Sequence, residues 1–139
     1  MTQAQETLSI NPTLVGEGSR IGALNSIFGR YAVRLESLAF SWMKRLSKDY
    51  TGGYWNFYTL NNNGFYMAPR MDKTVHMSNA LNWFEGSVTP DAAGIIASLF
   101  ALNQLCNETA IDEHIELYYA LREYAAQHPE HRLIFKAID

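Results

Sequence analysis

The chain lacks the features that place a protein outside the cell or within a membrane. Its single cysteine, Cys106, excludes an internal disulfide. Its first fifteen residues, MTQAQETLSINPTLV, have neither the basic start nor the apolar run of a secretory signal. The charge-free apolar segment from Ala92 to Asn107 is shorter than the roughly 20 residues that span a bilayer. We therefore expect a soluble, cytoplasmic protein.

The chain also lacks a basic cluster. It has 11 Lys and Arg residues against 14 Asp and Glu residues, and residues 90–139 hold three basic residues against eight acidic ones. Sequence-independent nucleic-acid binding requires a clustered basic face, so this distribution disfavours it. We interpret the small basic set as the solvated face of a helix. It comprises Arg30, Arg34, Lys44, Arg45 and Lys48.

Catalytic and nucleotide-binding motifs are missing as well. The pair Gly16-x-Gly18 is too sparse for a dinucleotide loop, and no G-x-S-x-G elbow occurs. Cys106 has no basic neighbour to lower its pKa, which favours an unreactive core residue. We interpret His76 as a histidine bonded within a sheet, and His114, in the run DEHIE, as a surface histidine among carboxylates. Because no acid, base and nucleophile can be assembled, we expect no catalytic residues.

Two histidines near the C-terminus, His128 and His131, lie three residues apart. A zinc site needs further ligands at recognisable spacings, and the sequence offers none. We expect neither a metal nor another cofactor.

The stretch from Tyr50 to Pro69, YTGGYWNFYTLNNNGFYMAP, holds seven of the eighteen aromatic residues and no charge. Its Tyr, Trp, Phe and Thr residues favour strands, and Asn63-Gly64 is a strong hairpin signal because both turn positions need a positive φ. We predict strands over residues 54–61 and 65–69. A third antiparallel strand is predicted over residues 73–78.

Strand alternation assigns the side chains of this hairpin to two faces. The predicted turn puts Phe65 and Met67 on the face of Tyr58, and Tyr66 on the face of Phe57. Neither face is polar. Such a sheet must be covered on both sides, or covered on one side and used for binding on the other.

Helical periodicity occurs on both sides of the hairpin. The predicted helices run from about residue 30 to 48, from 89 to about 106, from about 110 to 127, and from 129 to 138. The fold class is therefore α+β: a small three-stranded antiparallel sheet packed with three or four helices. Residues 1–20 are predicted to form a flexible N-terminal arm with a short strand near Leu14, and residues 21–139 a single domain.

The aromatic stretch resembles the signature of the antirestriction protein family that includes ArdB and KlcA, approximately Y-x-G-G-x-W-x-F-Y-x-L-x-N-x-G-F-Y-M-x-P. The matching residues are Tyr50, Gly52, Gly53, Trp55, Phe57, Tyr58, Leu60, Asn62, Gly64, Phe65, Tyr66, Met67 and Pro69. Upstream, IFGRYAVRLESLAFSWM resembles the helical segment that follows a Phe-Gly pair in the family. The resemblance covers roughly residues 20–135. Asn56 departs from it, since Asp is frequent there in the family.

The resemblance implies a protein that protects incoming mobile DNA from type I restriction enzymes, with helices around a small antiparallel sheet. It carries over no catalytic residues. DNA mimicry is disfavoured, because a face about 30 Å long would need on the order of 18 negative charges. The whole chain has 14 acids and 11 bases. We expect an inhibitor of the type I restriction complex or of its DNA translocation, acting directly or through a host factor.

Exposed members of the hairpin and of the acidic helix are the expected partner contacts. They are Tyr54, Tyr66, Asp112, Glu113, Glu116 and Glu123. Two other classes of function stay open. One is an enzyme that modifies a host factor or a nucleotide, with His76 or His114 as the base, and the other is a DNA-binding protector that uses the basic set.

Overall fold

The computed structural model describes residues 8–139, which form five α-helices and five strands in two antiparallel sheets. The strands are β1 (Pro12–Leu14), β2 (Trp55–Leu60), β3 (Phe65–Pro69), β4 (Val75–Asn79) and β5 (Phe84–Val88). The helices are α1 (Arg20–Phe28), α2 (Ala32–Leu46), α3 (Pro90–Thr109), α4 (Asp112–Gln127) and α5 (His131–Ile138). The predicted α+β class is confirmed. No helix among residues 8–139 is long and apolar enough to cross a membrane.

The three-stranded sheet has the order β1-β2-β3, so its third strand comes from the N-terminal end of the chain. The short strand expected near Leu14 is present as β1, which pairs antiparallel with β2 through Leu14 and Tyr58. The strand expected over residues 73–78 exists as β4, but its assignment to this sheet was wrong. It pairs instead with β5 in a separate two-stranded sheet. The sequence of β5, FEGSV, gives little strand signal because Gly86 and two polar residues interrupt it.

The β2–β3 hairpin turns earlier than predicted. Leu60 N donates to Gly64 O at 2.9 Å, and Asn63 N donates to Leu60 O at 3.0 Å, which closes a three-residue loop over residues 61–63. Asn63 alone takes the left-handed conformation, at φ +69°. Tyr58 therefore pairs with Tyr66, and the predicted faces of β3 were wrong. An odd shift in register turns every side chain of a strand to the opposite face.

Helix α3 is the centre of the core, as its apolar sequence predicts. Thr89 Oγ1 accepts from Ala92 N at 3.2 Å and Pro90 is the first helical residue, so the predicted helix start is confirmed. The helix lies against β3 at very short range. Ser98 Oγ accepts from Met67 N and donates to Met67 O, both at 3.1 Å. An ideal Cβ on Gly94 would stand 2.4 Å from Ala68 Cα, so only glycine permits this approach.

Helix α2 occupies the segment in which a helix was predicted from about residue 30, whereas α1, which precedes Gly29, was not predicted. Gly29 separates them at φ +55°, a backbone conformation that suits a residue without a side chain. The α2 helix buries one stripe against α3. Its buried residues are Ala32, Leu35, Leu38, Ala39, Met43 and Leu46.

The predicted arm over residues 1–20 lies partly on residues 1–7, which are outside the described residues. From Leu8 onward the chain is hydrogen-bonded to the rest of the protein. Ile10 N donates to Gln127 Oε1 at 2.9 Å, and Gln127 Nε2 donates to Leu8 O at 3.1 Å. The division of the chain at residue 20 stays a prediction.

Candidate functional site

A groove of about 730 Å³ opens where the end of β3 meets the start of α3. Tyr58, Arg70 and Asp91 are among its lining residues. Its size falls in the range of small-molecule sites, and several polar groups converge on it.

Asp91, at the start of α3, is hydrogen-bonded through both of its carboxylate oxygens. Its Oδ1 accepts from the Tyr66 hydroxyl at 2.7 Å, and its Oδ2 lies 2.8 Å from His128 Nε2. His128 Nδ1 accepts from Glu130 N at 3.0 Å, so the proton of the neutral imidazole sits on Nε2 and is donated to Asp91. Burial raises the pKa of Asp91, but the hydrogen bonds from His128 and Tyr66 outweigh it and the pKa is lowered overall.

Tyr66 is locked as a hydrogen-bond donor. Burial, together with the neighbouring Asp91 carboxylate, raises its pKa far above the ordinary value. Its ring stacks on Tyr58 at a centroid distance of 4.8 Å and on Tyr124 at 5.7 Å. The network fixes the first turn of α3 to the sheet and to the segment before α5. Both nitrogens of His128 are engaged, so this histidine is positioned as a structural group rather than as a free base.

The burial of Tyr66 corrects one expected contact residue. Tyr66 is 1% exposed, so it cannot touch a partner, whereas Tyr54 is 66% exposed. The difference follows from the register, which turns Tyr66 toward Tyr124 and Asp91. The guanidinium groups of Arg70 and Arg20 lie 5.4 and 5.8 Å from the Tyr54 ring centroid. Tyr54 is therefore an exposed aromatic ring close to two cations.

The acidic residues of α4 form a second candidate surface, which we call the acidic face. Its members Asp112, Glu113, Glu116 and Glu123 are all exposed. Glu113 and Glu116 also line a groove of about 620 Å³ between α4 and the 61–63 loop. The loop is tied to the helix because Asn62 Nδ2 donates to Ala120 O at 2.9 Å.

Part of the lining of this second groove is apolar. Ile27, Leu60 and Leu117 line it together with the two carboxylates. A groove with both apolar and acidic lining suits a Lys or Arg side chain, whose stem is apolar and whose head is charged.

The two histidines considered as bases occupy different environments. His76 is exposed on β4, and its Nε2 lies 3.0 Å from Glu85 Oε2 on the neighbouring strand. His114 was expected on the surface but is 3% exposed, between Phe28 and Tyr31. Burial lowers its pKa. The run DEHIE suggests an exposed segment because three of its five residues are acidic. His114 nevertheless lies on the side of α4 that packs against the core.

His114 also has a defined hydrogen-bond partner. The Thr109 hydroxyl gives its one proton to Leu105 O at 2.9 Å, so it accepts from His114 Nδ1 at 2.8 Å. The imidazole thereby joins the end of α3 to the start of α4.

The remaining sequence candidates behave as structural or surface groups. Cys106 is half-buried and burial raises the pKa of its thiol, which disfavours the reactive thiolate. The basic set is exposed, and Arg34 is paired with Glu108 at 2.5 Å. Within residues 8–139 no three His, Cys, Asp or Glu side chains are grouped so as to hold a metal ion.

Fold and surfaces together define a small α+β protein with a part-buried Asp–His pair and an acidic helix face. The family model of the antirestriction proteins matches residues 48–139. An antirestriction protein KlcA from Escherichia coli is 44% identical over an alignment of 146 positions that covers all of both chains. A second KlcA from Escherichia coli is 42% identical over 94% of this chain and 95% of its own length. The chain belongs to the antirestriction protein family.

A solved structure gives the same result for the fold. It is described as that of the KlcA and ArdB proteins, which show a novel fold and antirestriction activity against type I DNA restriction systems in vivo but not in vitro. The TM-score is 0.91 at 42% identity, over 99% of this chain and 100% of that chain.

Proposed function

We propose that this protein protects incoming mobile DNA by inhibiting type I restriction endonuclease activity in the cytoplasm. It does so by binding the restriction complex or an associated host factor, without catalysis and without imitating DNA. The observation that carries the proposal is the likeness over the whole chain to the KlcA and ArdB structure, whose proteins act against type I systems.

The conditions of that activity bear on the mechanism. KlcA and ArdB act in vivo but not in vitro. A protein that blocked the purified enzyme directly would act in both settings. The difference supports a mechanism that requires a cellular component in addition to the enzyme and its DNA.

The charge of the chain supports a mechanism other than mimicry. The 16 residues of α4 span about 24 Å. Duplex DNA of that length carries about 14 phosphate charges. The acidic face offers four carboxylates, and Glu17 and Glu108 elsewhere are already paired with arginines. The acidic face suits a local contact with a basic partner surface, because its charge density is far below that of a duplex.

The decisive assay is phage plating on a type I-proficient host, with and without this protein. We expect plating efficiency to rise toward that of a restriction-deficient host. Undiminished restriction across several type I systems would refute the proposed function.

Neutralising the acidic face tests the contact. The variant set is Asp112→Asn, Glu113→Gln, Glu116→Gln and Glu123→Gln, and the control set is Glu36→Gln, Asp72→Asn, Glu108→Gln and Asp139→Asn. Both remove four negative charges, so net charge is matched. We expect the first set to lose at least tenfold in protection while keeping its melting temperature, and the control to retain protection. Equal protection by both sets would exclude the acidic face as the contact.

Two further measurements separate the other classes of function. The His76→Ala variant is expected to keep its protection, because the proposed function requires no catalytic base at that position. Loss of protection with the fold intact would favour an enzyme. DNA binding that weakens steeply with added salt would favour a protector that covers the DNA.

A further inference from the structure

The loop of residues 80–83 between β4 and β5, here called the hairpin tip, presents two large apolar side chains to solvent. Trp83 is 91% exposed and Leu81 is 73% exposed. Single exposed apolar residues are common on protein surfaces. A tryptophan with nearly its whole surface in water, beside a second large apolar residue, is not.

The other two tryptophans show what this residue type does elsewhere in the chain. Trp55 is 1% exposed, and its Nε1 donates to the Tyr50 hydroxyl at 3.0 Å. Trp42 stacks on Phe100 at 4.5 Å and donates to Gln104 Oε1 at 2.9 Å. Within residues 8–139, the Trp83 ring makes neither an aromatic pair nor a side-chain hydrogen bond of this kind.

The backbone at Trp83 adds a second cost. Its φ is +61°, in the left-handed region that is unfavourable for a bulky side chain and favourable for Asn or Gly. Exposure of the ring and strain of the backbone both destabilise the unbound protein. Neither effect is offset by packing of the Trp83 ring within residues 8–139. Strain and exposure at one residue point to a role outside the chain.

The hairpin tip is also held firmly in place. Asn82 Nδ2 donates to Ala137 O at 2.9 Å, and Asn79 Nδ2 donates to the same carbonyl at 3.1 Å. Asn79 Oδ1 accepts from Leu81 N at 3.1 Å and Asn82 Oδ1 from Phe84 N at 3.0 Å. The loop that carries the two exposed side chains is therefore preorganised against the last turn of α5, which lowers the entropy cost of binding.

The exposed area decides what occupies this surface. The two side chains offer on the order of 300–400 Å² of apolar surface. A second copy docking tip to tip would bury about half of the roughly 800 Å² per partner that a stable interface needs. Binding to nucleic acid or to a lipid surface would require clustered basic side chains. The charged residues that flank the tip, Lys136 and Glu85, have opposite signs. A protruding tip of this size fits a preformed concave pocket as a hot spot.

We propose that the hairpin tip inserts Trp83 and Leu81 into a concave apolar pocket on a protein partner. This inference rests on the proposed function, since it assigns the partner to the cellular component that antirestriction requires. The tip joins β4 to β5 and shares no residue with the acidic face of α4, so the two surfaces can be tested with separate variants.

The test uses Trp83→Asn in the full chain. Asn is at ease in the left-handed region, so this change removes the ring and relieves the backbone together. We expect a melting temperature at least equal to that of the wild type, with protection in the plating assay reduced tenfold or more. Leu81→Ser is the second variant. Ile21→Ala is the control, because Ile21 is 78% exposed on α1.

A second measurement does not depend on protection. Photoreactive benzoylphenylalanine at position 83 is expected to give a crosslinked product with one protein in cells. The same group at position 21 should not give it, and Leu81→Ser should abolish it. Once identified and purified, that protein should bind the Trp83→Asn variant about 30-fold more weakly than the wild type.

Each outcome decides the inference. Full protection by Trp83→Asn, no product from position 83, a product at twice the mass of the chain, or a crosslink to nucleic acid overturns it. If the wild type itself gives no protection, the proposed function fails, and the crosslink with its binding constants still decides whether the tip docks.

Discussion

The contact between α3 and β3 supports a sharp prediction at Gly94. In Gly94→Ala, the added Cβ would stand 2.4 Å from Ala68 Cα and 2.6 Å from Met67 O. Ordinary van der Waals contact begins at 3.4 Å. The helix must therefore move away from the strand by about 1 Å. The atoms that would overlap belong to the backbone of β3, so no rotation of a flexible side chain can relieve the overlap.

The expected cost follows from three contributions. Alanine is intrinsically better in a helix than glycine by about 1 kcal/mol. Overpacking of a close contact costs about 1–3 kcal/mol. Displacing Ser98 from Met67 strains two hydrogen bonds in a buried interface, at about 1 kcal/mol each. We expect a net loss of about 2–4 kcal/mol in the free energy of unfolding, and a melting temperature lower by about 10 °C.

Urea unfolding followed by circular dichroism measures this loss. The control is Gly22→Ala in α1, where nothing lies within 4 Å of the ideal Cβ. That change should be neutral or stabilise by up to about 1 kcal/mol. A Gly94→Ala protein as stable as the wild type, with an unchanged dependence on urea, would refute the close-packing argument.

Two further predictions concern the ends of α3 and α4. Ala110→Gly should raise the free energy of unfolding by about 1 kcal/mol, because Ala110 follows α3 at φ +56°, where a side chain is disfavoured. Urea unfolding measures this gain. The control, Ala120→Gly inside α4, should lower the free energy of unfolding by a similar amount. Burial lowers the pKa of His114 below its ordinary value of 6.5 in the folded protein. As the pH falls below 6.5, the unfolded chain therefore binds a proton at this residue more readily than the folded chain does, and the free energy of unfolding decreases. His114→Asn, which keeps a donor toward Thr109, should flatten the slope of the unfolding free energy between about pH 7.5 and 5.5, and an unaltered slope would exclude His114 as its origin.

The parts of the fold that the sequence predicts well are those with local signals. Thr89, Pro90 and Asp91 are consecutive, and each acts on the first turn of the helix they begin. The apolar length of α3 likewise predicts a central buried helix. Such features depend on residues within one or two turns, so a single sequence displays them.

The features that escaped prediction depend on distant residues. Asp91 and His128 are 37 positions apart, and nothing local to either residue indicates that they meet. The burial of His114 depends on Phe28 and Tyr31 of another segment, and the glycine requirement at Gly94 depends on Ala68 across the helix–sheet contact. Spacing within one element cannot report these contacts, because the partner atoms belong to another.

The β2–β3 hairpin combines a local signal with a contact to a distant residue, and its loop decides which face of the sheet Tyr66 occupies. Three consecutive asparagines precede Gly64, and either Asn63-Gly64 or Asn63 alone can supply the left-handed conformation that a hairpin needs. The chain takes the three-residue loop, because Gly64 then pairs with Leu60 while Asn62 bonds to α4. The resulting register sends Tyr66 inward to Asp91, whereas Tyr54 lies outside, close to two arginines. One hydrogen-bonding choice in the loop thus buries Tyr66, which anchors α3, whereas Tyr54 is exposed.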